Sequence, residues 1–127
     1  MALMQANLGS GWFDIPQPKP EGYYPHYTHL EKSYNDDLGN LHRDFVWKNR
    51  AKIECAWNEL SASQLSLLQD LYDAEEFSMK FYDNKGRLVQ KIMYAGQPKG
   101  QVYSKNKYTG IPEIWVNVTQ NYIEKRR

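Results

Sequence analysis

The sequence predicts a mostly antiparallel β-protein, a β-sandwich or small barrel, with one α-helix over about residues 61–74 packed on the sheet. Three observations support this fold class. Residues 44–58 alternate between apolar and polar side chains, as a strand with one buried face does. From Ser61 onward the apolar residues follow helical spacing. Residues 77–94 contain two further alternating segments on either side of a turn.

The long strand and the helix are predicted to form the centre of the core. The buried face of the strand would carry Phe45, Trp47, Ala51, Ile53, Cys55 and Trp57. Ser61 is the predicted N-cap, and Gln64 is placed to complete a capping box. Leu60 and Leu65 are placed for a hydrophobic staple around that cap. The apolar stripe of the helix consists of Leu65, Leu68, Leu71 and Tyr72. The predicted core residues are Trp47, Ile53, Trp57, Leu65, Leu68 and Phe81.

Residues 1–34 are predicted to form an extended N-terminal arm. Residues 1–11 are small and polar and are expected to be flexible, and residues 12–15 suit a short first strand. Alternating prolines follow, at Pro16, Pro18 and Pro20. Proline lacks a backbone donor, so this segment cannot lie in the centre of a sheet. A second short strand is expected over residues 28–34, and a turn over residues 35–40, before the long strand begins near Leu41.

The second half of the chain is predicted to contain a hairpin, an exposed connection and a final strand. Gly86 suits a left-handed position in the hairpin turn. One face of the return strand would carry Leu88, Gln90, Ile92 and Tyr94, and the opposite face Val89, Lys91 and Met93. Residues 97–112 are predicted to form a projecting loop or hairpin. The last strand contains Ile114, Val116 and Val118 and runs to about Tyr122. All 127 residues are expected to form a single β-rich domain.

Charge and composition are those of an ordinary folded domain. The net charge is +1, so no whole-protein field attracts nucleic acid or an acidic membrane. The only cysteine, Cys55, is predicted to be a small core side chain. No segment approaches the roughly 20 apolar residues of a membrane span, and the N-terminus lacks the pattern of a signal peptide. We therefore expect synthesis in a reducing cytoplasm and no membrane association.

No group of residues has the spacing of a catalytic, metal or cofactor site. His26, His29 and His42 include one His-x-x-His pair, whereas a zinc site needs three or four ligands. The adjacent carboxylates Asp36–Asp37 and Glu75–Glu76 are typical of a solvated turn and a helix end. The glycines are scattered and form no phosphate-binding loop. The sequence therefore predicts no enzymatic activity, no metal and no cofactor.

Two segments are predicted to contact neighbouring subunits. The first is the part of the arm over residues 16–34, whose extended backbone suits edge contacts with a partner. The second is the loop over residues 97–110, in which residues 99–108 interleave lysines and tyrosines. This pattern suits a docked neighbour or, alternatively, a nucleic-acid- or carbohydrate-binding β-domain. The candidate contact residues are Trp12, Pro16, Pro18, Pro20, Tyr23, Tyr24, Tyr27, Lys99, Tyr103, Lys105, Lys107 and Tyr108.

Several short motifs between residues 12 and 96 resemble a family of small structural proteins encoded among the tail genes of tailed bacteriophages and prophages. A glycine-containing turn followed by a basic residue is matched by Gly39, His42 and Arg43. A lysine-rich strand is matched at Lys48 and Lys52. Trp-x-x-Leu before a capped helix is matched by Trp57, Leu60 and Ser61. A hairpin ending in aromatic-x-Gly is matched by Tyr94 and Gly96, and an early Ile/Pro element by Ile15 and Pro16.

The resemblance implies a virion component similar in style to tail tube and distal-tail proteins. Such proteins are β-sandwiches or barrels with one flanking helix, and they stack in rings. By resemblance, the expected partners are further copies of the chain in a hexameric ring and other phage tail proteins. The expected location is the virion tail, assembled in the cytoplasm of the bacterial host. Residues 97–127 lie beyond the part that the resemblance covers.

Overall fold

A computed structural model of the protein describes residues 3–35 and 41–125, with side-chain positions for residues 3–28 and 49–125. The elements in this part of the chain are β1 (Met4–Asn7), β2 (Trp12–Asp14), β3 (Tyr23–Asn35), β4 (Leu41–Ser61), α1 (Ala62–Asp73), β5 (Phe77–Tyr82), β6 (Leu88–Ala95), β7 (Lys99–Lys105) and β8 (Pro112–Glu124). The prediction of a mostly antiparallel β-protein with a single packed helix is confirmed.

The strands form one antiparallel sheet in the order β2-β1-β5-β6-β8-β4-β3. β8 pairs with β4 along one edge. On its other edge, β8 pairs first with β7 and then, over its last residues, with β6. The sheet is not closed into a barrel, so the barrel alternative is not what the chain forms.

The open sheet is curled, so that its two halves face each other. The Tyr23 hydroxyl on β3 donates a hydrogen bond to the Tyr82 carbonyl oxygen at the end of β5. Four residues along β3, the Tyr27 hydroxyl donates to the Asp83 carboxylate at 2.8 Å. β3 and β5 are far apart in the strand order, so these contacts require the sheet to bend back on itself. The core lies in the space that this bend encloses.

The core contains most of the side chains that the sequence predicts. Ala51, Ile53, Cys55 and Trp57 on β4 are all buried, as their alternation predicts. Leu68 and Phe81 are also buried, and Leu65 packs partly buried against the cluster. Trp47 falls outside the residues whose side-chain positions are described.

α1 begins as its sequence predicts. The Ser61 hydroxyl accepts a hydrogen bond from the Gln64 N–H, and the Gln64 side-chain oxygen accepts one from the Ser61 N–H. The capping box is thus complete. Leu68 and Leu71 face the core, but Tyr72 is 43% exposed, so its predicted place in the buried stripe is wrong. Each helical residue advances about 100°, and Tyr72 lies at the edge of the stripe, beyond the cover of the sheet.

The N-terminal region is bound to the sheet over much of its length. β1 pairs with β2 and β5 and buries Met4 and Ala6, so the expectation of flexibility is wrong for Met4–Asn7. The sequence did not predict this strand because its apolar pattern consists of only two residues, Met4 and Ala6. The expected strand over residues 28–34 begins earlier, at Tyr23. Of the predicted turn, residues 36–40 lie outside the described part of the chain.

The proline segment runs beside β4. The Lys19 N–H donates to the Ala56 carbonyl oxygen, and the Ala56 N–H donates to the Gly22 carbonyl oxygen. A Cβ on Gly22 would stand 2.6 Å from the Ala56 carbonyl oxygen, so only glycine allows this approach. Pro18 is buried.

The predicted hairpin of β5 and β6 is present, and Gly86 has a φ of 76° at its turn. The alternation on β6 is as predicted, and the core side is the face of Val89, Met93 and Ala95. Residues 97–112 contribute β7 and a turn, and form a hairpin with β8. In β8 the inward face continues past Val118 to Gln120 and Tyr122.

Candidate functional site

The hairpin of β7 and β8 has a tip that its own hydrogen bonds hold in shape. The side-chain oxygen of Asn106 accepts hydrogen bonds from the N–H groups of Tyr108 at 2.9 Å and Thr109 at 3.1 Å. The Gly110 N–H donates to the Asn106 carbonyl oxygen, and the Asn106 N–H donates to the Ile111 carbonyl oxygen. Gly110 has a φ of 75°, a conformation that favours glycine. The tip is therefore a defined turn that can present side chains in fixed positions.

This hairpin carries a large share of the exposed apolar surface in the described part of the chain. Tyr103 is 74% exposed, Tyr108 is 91% exposed and Ile111 is 61% exposed. Val102 on the same strand as Tyr103 is also exposed. A group of exposed apolar side chains on an ordered scaffold is typical of a surface that another molecule covers.

The hairpin is also positively charged. Residues 99–111 contain three lysines, Lys99, Lys105 and Lys107, and no acidic residue. All three are exposed. Within the described residues, no ion pair joins any of them to a carboxylate. The hairpin therefore combines exposed lysines that form no ion pair within the described residues with exposed aromatic rings, as the sequence pattern indicated. It also carries one exposed carboxylate near the tip, Glu113 on β8.

One edge of β7 is free of any strand among those described, because β7 pairs with β8 alone. Its register against β8 shifts three times along its length. Irregular register and exposed lysines on an edge strand disfavour indiscriminate strand pairing. A partner is therefore expected to contact the side chains of this hairpin rather than to pair with its backbone edge.

Several arm residues predicted as contacts form hydrogen bonds within the chain. The Tyr23 hydroxyl donates a hydrogen bond to the Tyr82 carbonyl oxygen, and the Tyr27 hydroxyl donates one to the Asp83 carboxylate. The Pro16 carbonyl oxygen accepts the Trp57 indole N–H at 2.9 Å. Of the other predicted contacts in this segment, Pro18 is buried and Pro20 is exposed.

Two aromatic residues of the arm remain on the surface. Trp12 is 37% exposed, and the Lys80 ammonium lies 4.3 Å from the centre of its ring. Tyr24 is 58% exposed and stacks on His26 with ring centroids 4.4 Å apart. In the hairpin, Tyr103, Lys105, Lys107 and Tyr108 lie at or near the tip, whereas Lys99 lies at the start of β7, opposite Thr119.

A second charged surface, which the sequence analysis did not identify as a site, lies at the C-terminal end of α1. Asp70, Asp73 and Glu75 are exposed there, beside Tyr72. The last turn of α1 contains no basic residue, so these charges add to the negative end of the helix dipole. The sequence signal was available: residues 69–76 contain four acidic residues and no basic one.

Asp83 is a buried carboxylate with several hydrogen-bond donors around it. Its carboxylate, 1% exposed, accepts hydrogen bonds from the Tyr27 hydroxyl, the Lys85 N–H, and the N–H and guanidinium of Arg87. Burial alone would raise the pKa of Asp83, but these hydrogen bonds outweigh it and hold the pKa well below its usual range. The donors come from the turn and from β3, so the role of Asp83 is to stabilise the fold.

A polar cavity of about 260 Å³ lies beside this turn, lined by Tyr27, Asn49, Asn84, Lys85, Arg87 and Lys91. Two of its cations are paired, Arg87 with Asp83 and Lys91 with Glu124 at 3.6 Å. Among the residues that the structure describes, no three His, Cys, Asp or Glu side chains are grouped as metal ligands. Cys55 is buried with its sulfur 3.6 Å from that of Met4, and burial raises the pKa of its thiol, so it is a core side chain as predicted.

Helix α1 is too short and too polar to cross a membrane, and the described residues contain no other candidate helix.

No protein-family model matches the sequence, and no curated protein matches it. Among solved structures, the chain is similar to one described as the cap that terminates the tube of the anti-feeding prophage, solved by cryo-EM. The two share 9% sequence identity at a TM-score of 0.43, over 98% of this chain and 85% of the cap chain. A similarity at this level establishes neither a family nor a function.

Proposed function

We propose that the protein is a structural component of a long phage or prophage tail, in the tube, the distal tail or the baseplate. The resemblance of residues 12–96 to tail-gene proteins suggests this setting. The observation that carries a structural role is the hairpin of β7 and β8, which holds Tyr103, Tyr108 and Ile111 in exposed positions on an ordered turn. Exposed aromatic rings of this kind are the residues that dominate protein interfaces.

The proposed mode of action is self-association in a ring, with six copies by resemblance, and contact with other tail proteins. A heterologous contact between different surfaces of neighbouring copies generates a ring when its rotation closes. The protein would assemble in the cytoplasm of the bacterial host and remain in the virion tail. This role uses no enzymatic activity, no cofactor and no metal.

The proposal is tested by the mass of the purified protein in a concentration series, measured by light scattering, with negative-stain images of the same samples. We expect the mass to rise with concentration and the images to show rings or short tubes. A protein that remains monomeric at every concentration, with no assembled particles in the images, contradicts the self-association.

A variant pair locates the contact on the hairpin. Tyr103→Ser with Tyr108→Ser removes two exposed rings and should reduce assembly, because both rings are free to be buried by a neighbour. The matched control is Leu8→Ser with Leu88→Ser, which removes two exposed apolar side chains elsewhere. Equal loss of assembly in the two variants would show that the hairpin has no particular role.

A nucleic-acid-binding β-domain is the second candidate function, and one observation favours it. Lys99, Lys105 and Lys107 share the hairpin with Tyr103 and Tyr108, and none of the three lysines is paired within the described residues. Lysines that contact phosphates release counterions, so binding to single-stranded DNA would weaken steeply as salt rises. Weak binding with no salt dependence, in a fluorescence anisotropy titration of a labelled oligonucleotide, excludes this function.

A further inference from the structure

We infer that the hairpin tip of one copy docks on the C-terminal end of α1 in the next copy. This inference rests on the proposed self-association and names the surface that the hairpin meets. The tip surface consists of Tyr103, Lys105, Lys107, Tyr108 and Ile111. The helix-end surface consists of Asp70, Tyr72, Asp73 and Glu75.

The two surfaces are complementary in charge. The tip surface carries two lysines and no acidic residue. The helix-end surface carries three acidic residues and no basic one. Asp73 accepts a hydrogen bond from the Gln69 amide at 3.0 Å, and no ion pair involves Asp70, Asp73 or Glu75 within the described residues. The negative end of the α1 dipole adds to this charge, because the last turn contains no basic residue. Each surface therefore lacks within the chain the charge that the other supplies.

The two surfaces are also matched in their apolar content. Tyr72, at 43% exposed, lies among the acidic residues of the helix end. Tyr103 and Tyr108 lie among the lysines of the tip. Aromatic rings next to opposite charges can form a contact with an apolar centre and a charged rim, as protein interfaces do. A purely electrostatic ligand would leave these rings uncovered, which favours a protein surface over a free anion.

The geometry of the fold prevents the two surfaces from meeting within one copy. Gln120 of β8 donates a hydrogen bond to the Leu68 carbonyl oxygen, which places the later turns of α1 beside this end of β8. The hairpin tip joins the other end of β8, where Pro112 pairs with Lys105. Gln120 lies eight residue steps along β8 from Pro112, a span of about 26 Å. The contact must therefore be made between copies, and it repeats from head to tail.

Charge reversal tests this contact with the full chain. The tip variant is Lys105→Glu with Lys107→Glu, and the helix variant is Asp70→Lys with Asp73→Lys. All four side chains are exposed, so each variant should keep the fold, which circular dichroism and a thermal melt check. The matched controls make the same charge changes at exposed positions elsewhere: Lys19→Glu with Lys85→Glu, and Glu21→Lys with Glu59→Lys.

We expect each reversal alone to weaken self-association about tenfold or more, as measured by light scattering, because a like-charge contact replaces an attractive one. The chain that carries all four substitutions should associate again, and so should an equimolar mixture of the two reversed variants. The controls should associate as the wild-type protein does. If association returns when both surfaces are reversed, the single reversals weakened it through charge, because a second reversal would not repair a folding defect.

Two measurements on the wild-type protein test the contact without substitutions. Association should weaken between about 0.1 M and 1 M salt, since the Debye length falls from about 10 Å to about 3 Å. A carbodiimide joins lysines to carboxylates that touch. In a mixture of isotope-labelled and unlabelled protein, mass spectrometry should find Lys105 or Lys107 joined to Asp70 or Asp73 across two copies.

The outcomes separate this inference from the proposed function. If the wild-type protein assembles but the reversals affect it no more than the controls, the tip-to-helix contact is wrong and self-association stands. If only the tip reversal weakens assembly, the tip meets a different surface, and the inference is again overturned. If the wild-type protein is monomeric at all concentrations, both the contact and the proposed self-association are overturned.

Discussion

Asp83 and Trp57 show how single side chains connect distant parts of this protein. The Asp83 carboxylate accepts hydrogen bonds from its own turn and from Tyr27 on β3. One side chain therefore stabilises the β5–β6 turn and connects β3 to it. Trp57 fills the core and at the same time donates its indole N–H to the Pro16 carbonyl oxygen. In each case a polar atom is buried only because it has a hydrogen-bond partner.

The depressed pKa of Asp83 predicts a dependence of stability on acid. A group whose pKa is lower in the folded protein stabilises the fold above its unfolded pKa, about 3.9, and this stabilisation is lost as the pH falls through the folded value. The free energy of unfolding should therefore decline below about pH 4 and continue to decline below pH 3. In Asp83→Asn, urea melts should show lower stability at pH 7 and a flatter dependence over the acid range.

The control for this experiment is Glu59→Gln, since Glu59 is an exposed carboxylate outside the proposed contact between copies. Its acid dependence should match that of the wild-type protein. If Asp83→Asn loses stability with acid as steeply as the wild type does, the Asp83 carboxylate is not the group responsible.

Replacement of Trp57 by alanine should lower the free energy of unfolding by about 3–5 kcal/mol. Trp57 is 2% exposed, so the change leaves a cavity and removes the hydrogen bond to Pro16. Trp12→Ala is the control, because Trp12 is 37% exposed and should cost far less. Equal denaturant midpoints for the two variants would contradict the placement of the inward face of β4.

At the scale of elements, Gln120 joins the helix and the sheet. Its amide nitrogen donates to the Leu68 carbonyl oxygen of α1 at 3.0 Å and to the Gly96 carbonyl oxygen at 2.9 Å. Its oxygen accepts a hydrogen bond from the Tyr122 hydroxyl at 2.7 Å. One buried amide therefore fixes α1, the segment between β6 and β7, and β8 relative to one another.

Gln120→Leu should cost about 2–4 kcal/mol of unfolding free energy, because it leaves the buried Tyr122 hydroxyl and the two carbonyl oxygens without this partner. Hydrogen exchange should accelerate in α1 more than in β5, since α1 loses its polar anchor. Thr119→Val, at the exposed neighbouring position, is the control and should leave both measurements close to wild type. Uniform acceleration across the protein would show a global effect rather than release of the helix.

At the scale of the whole molecule, two tyrosines hold a curled but unclosed sheet. No strand ladder joins β3 to β5 in the described structure, and Tyr23 and Tyr27 make the connection with their hydroxyls. Burial raises the pKa of both hydroxyls above their ordinary value, so both stay protonated and donate. The curl keeps the core covered while the hairpin of β7 and β8 and the end of α1 face outward.

The double variant Tyr23→Phe with Tyr27→Phe should open this connection while it keeps the ring volume. We expect a loss of about 1–3 kcal/mol in unfolding free energy and faster hydrogen exchange in β3 than in β8. Tyr24→Phe, whose side chain is 58% exposed, serves as the control. Unchanged exchange in β3 would show that the backbone ladder with β4 alone holds that strand.

The sequence alone determined the local structures of this protein. The alternation in β4, the capping box of α1 and the glycine turn between β5 and β6 were all predicted, because each depends on residues close together in the chain. The fold class was predicted from the same patterns. The lysine–tyrosine pattern of the hairpin was also visible, since it too lies within a few consecutive residues.

Only the tertiary structure decided which of these groups meet. β1 was missed because its burial depends on β5, some 70 residues away in the chain. Tyr23 and Tyr27 carry the same type of side chain as Tyr103 and Tyr108, yet the first pair bonds inward and the second pair is exposed. Exposure depends on what packs over a residue, and that is set by strand order and by the curl of the sheet. For the same reason, the sequence could list the acidic residues of α1 and the two lysines of the hairpin tip, Lys105 and Lys107, but could not place them toward opposite ends of β8.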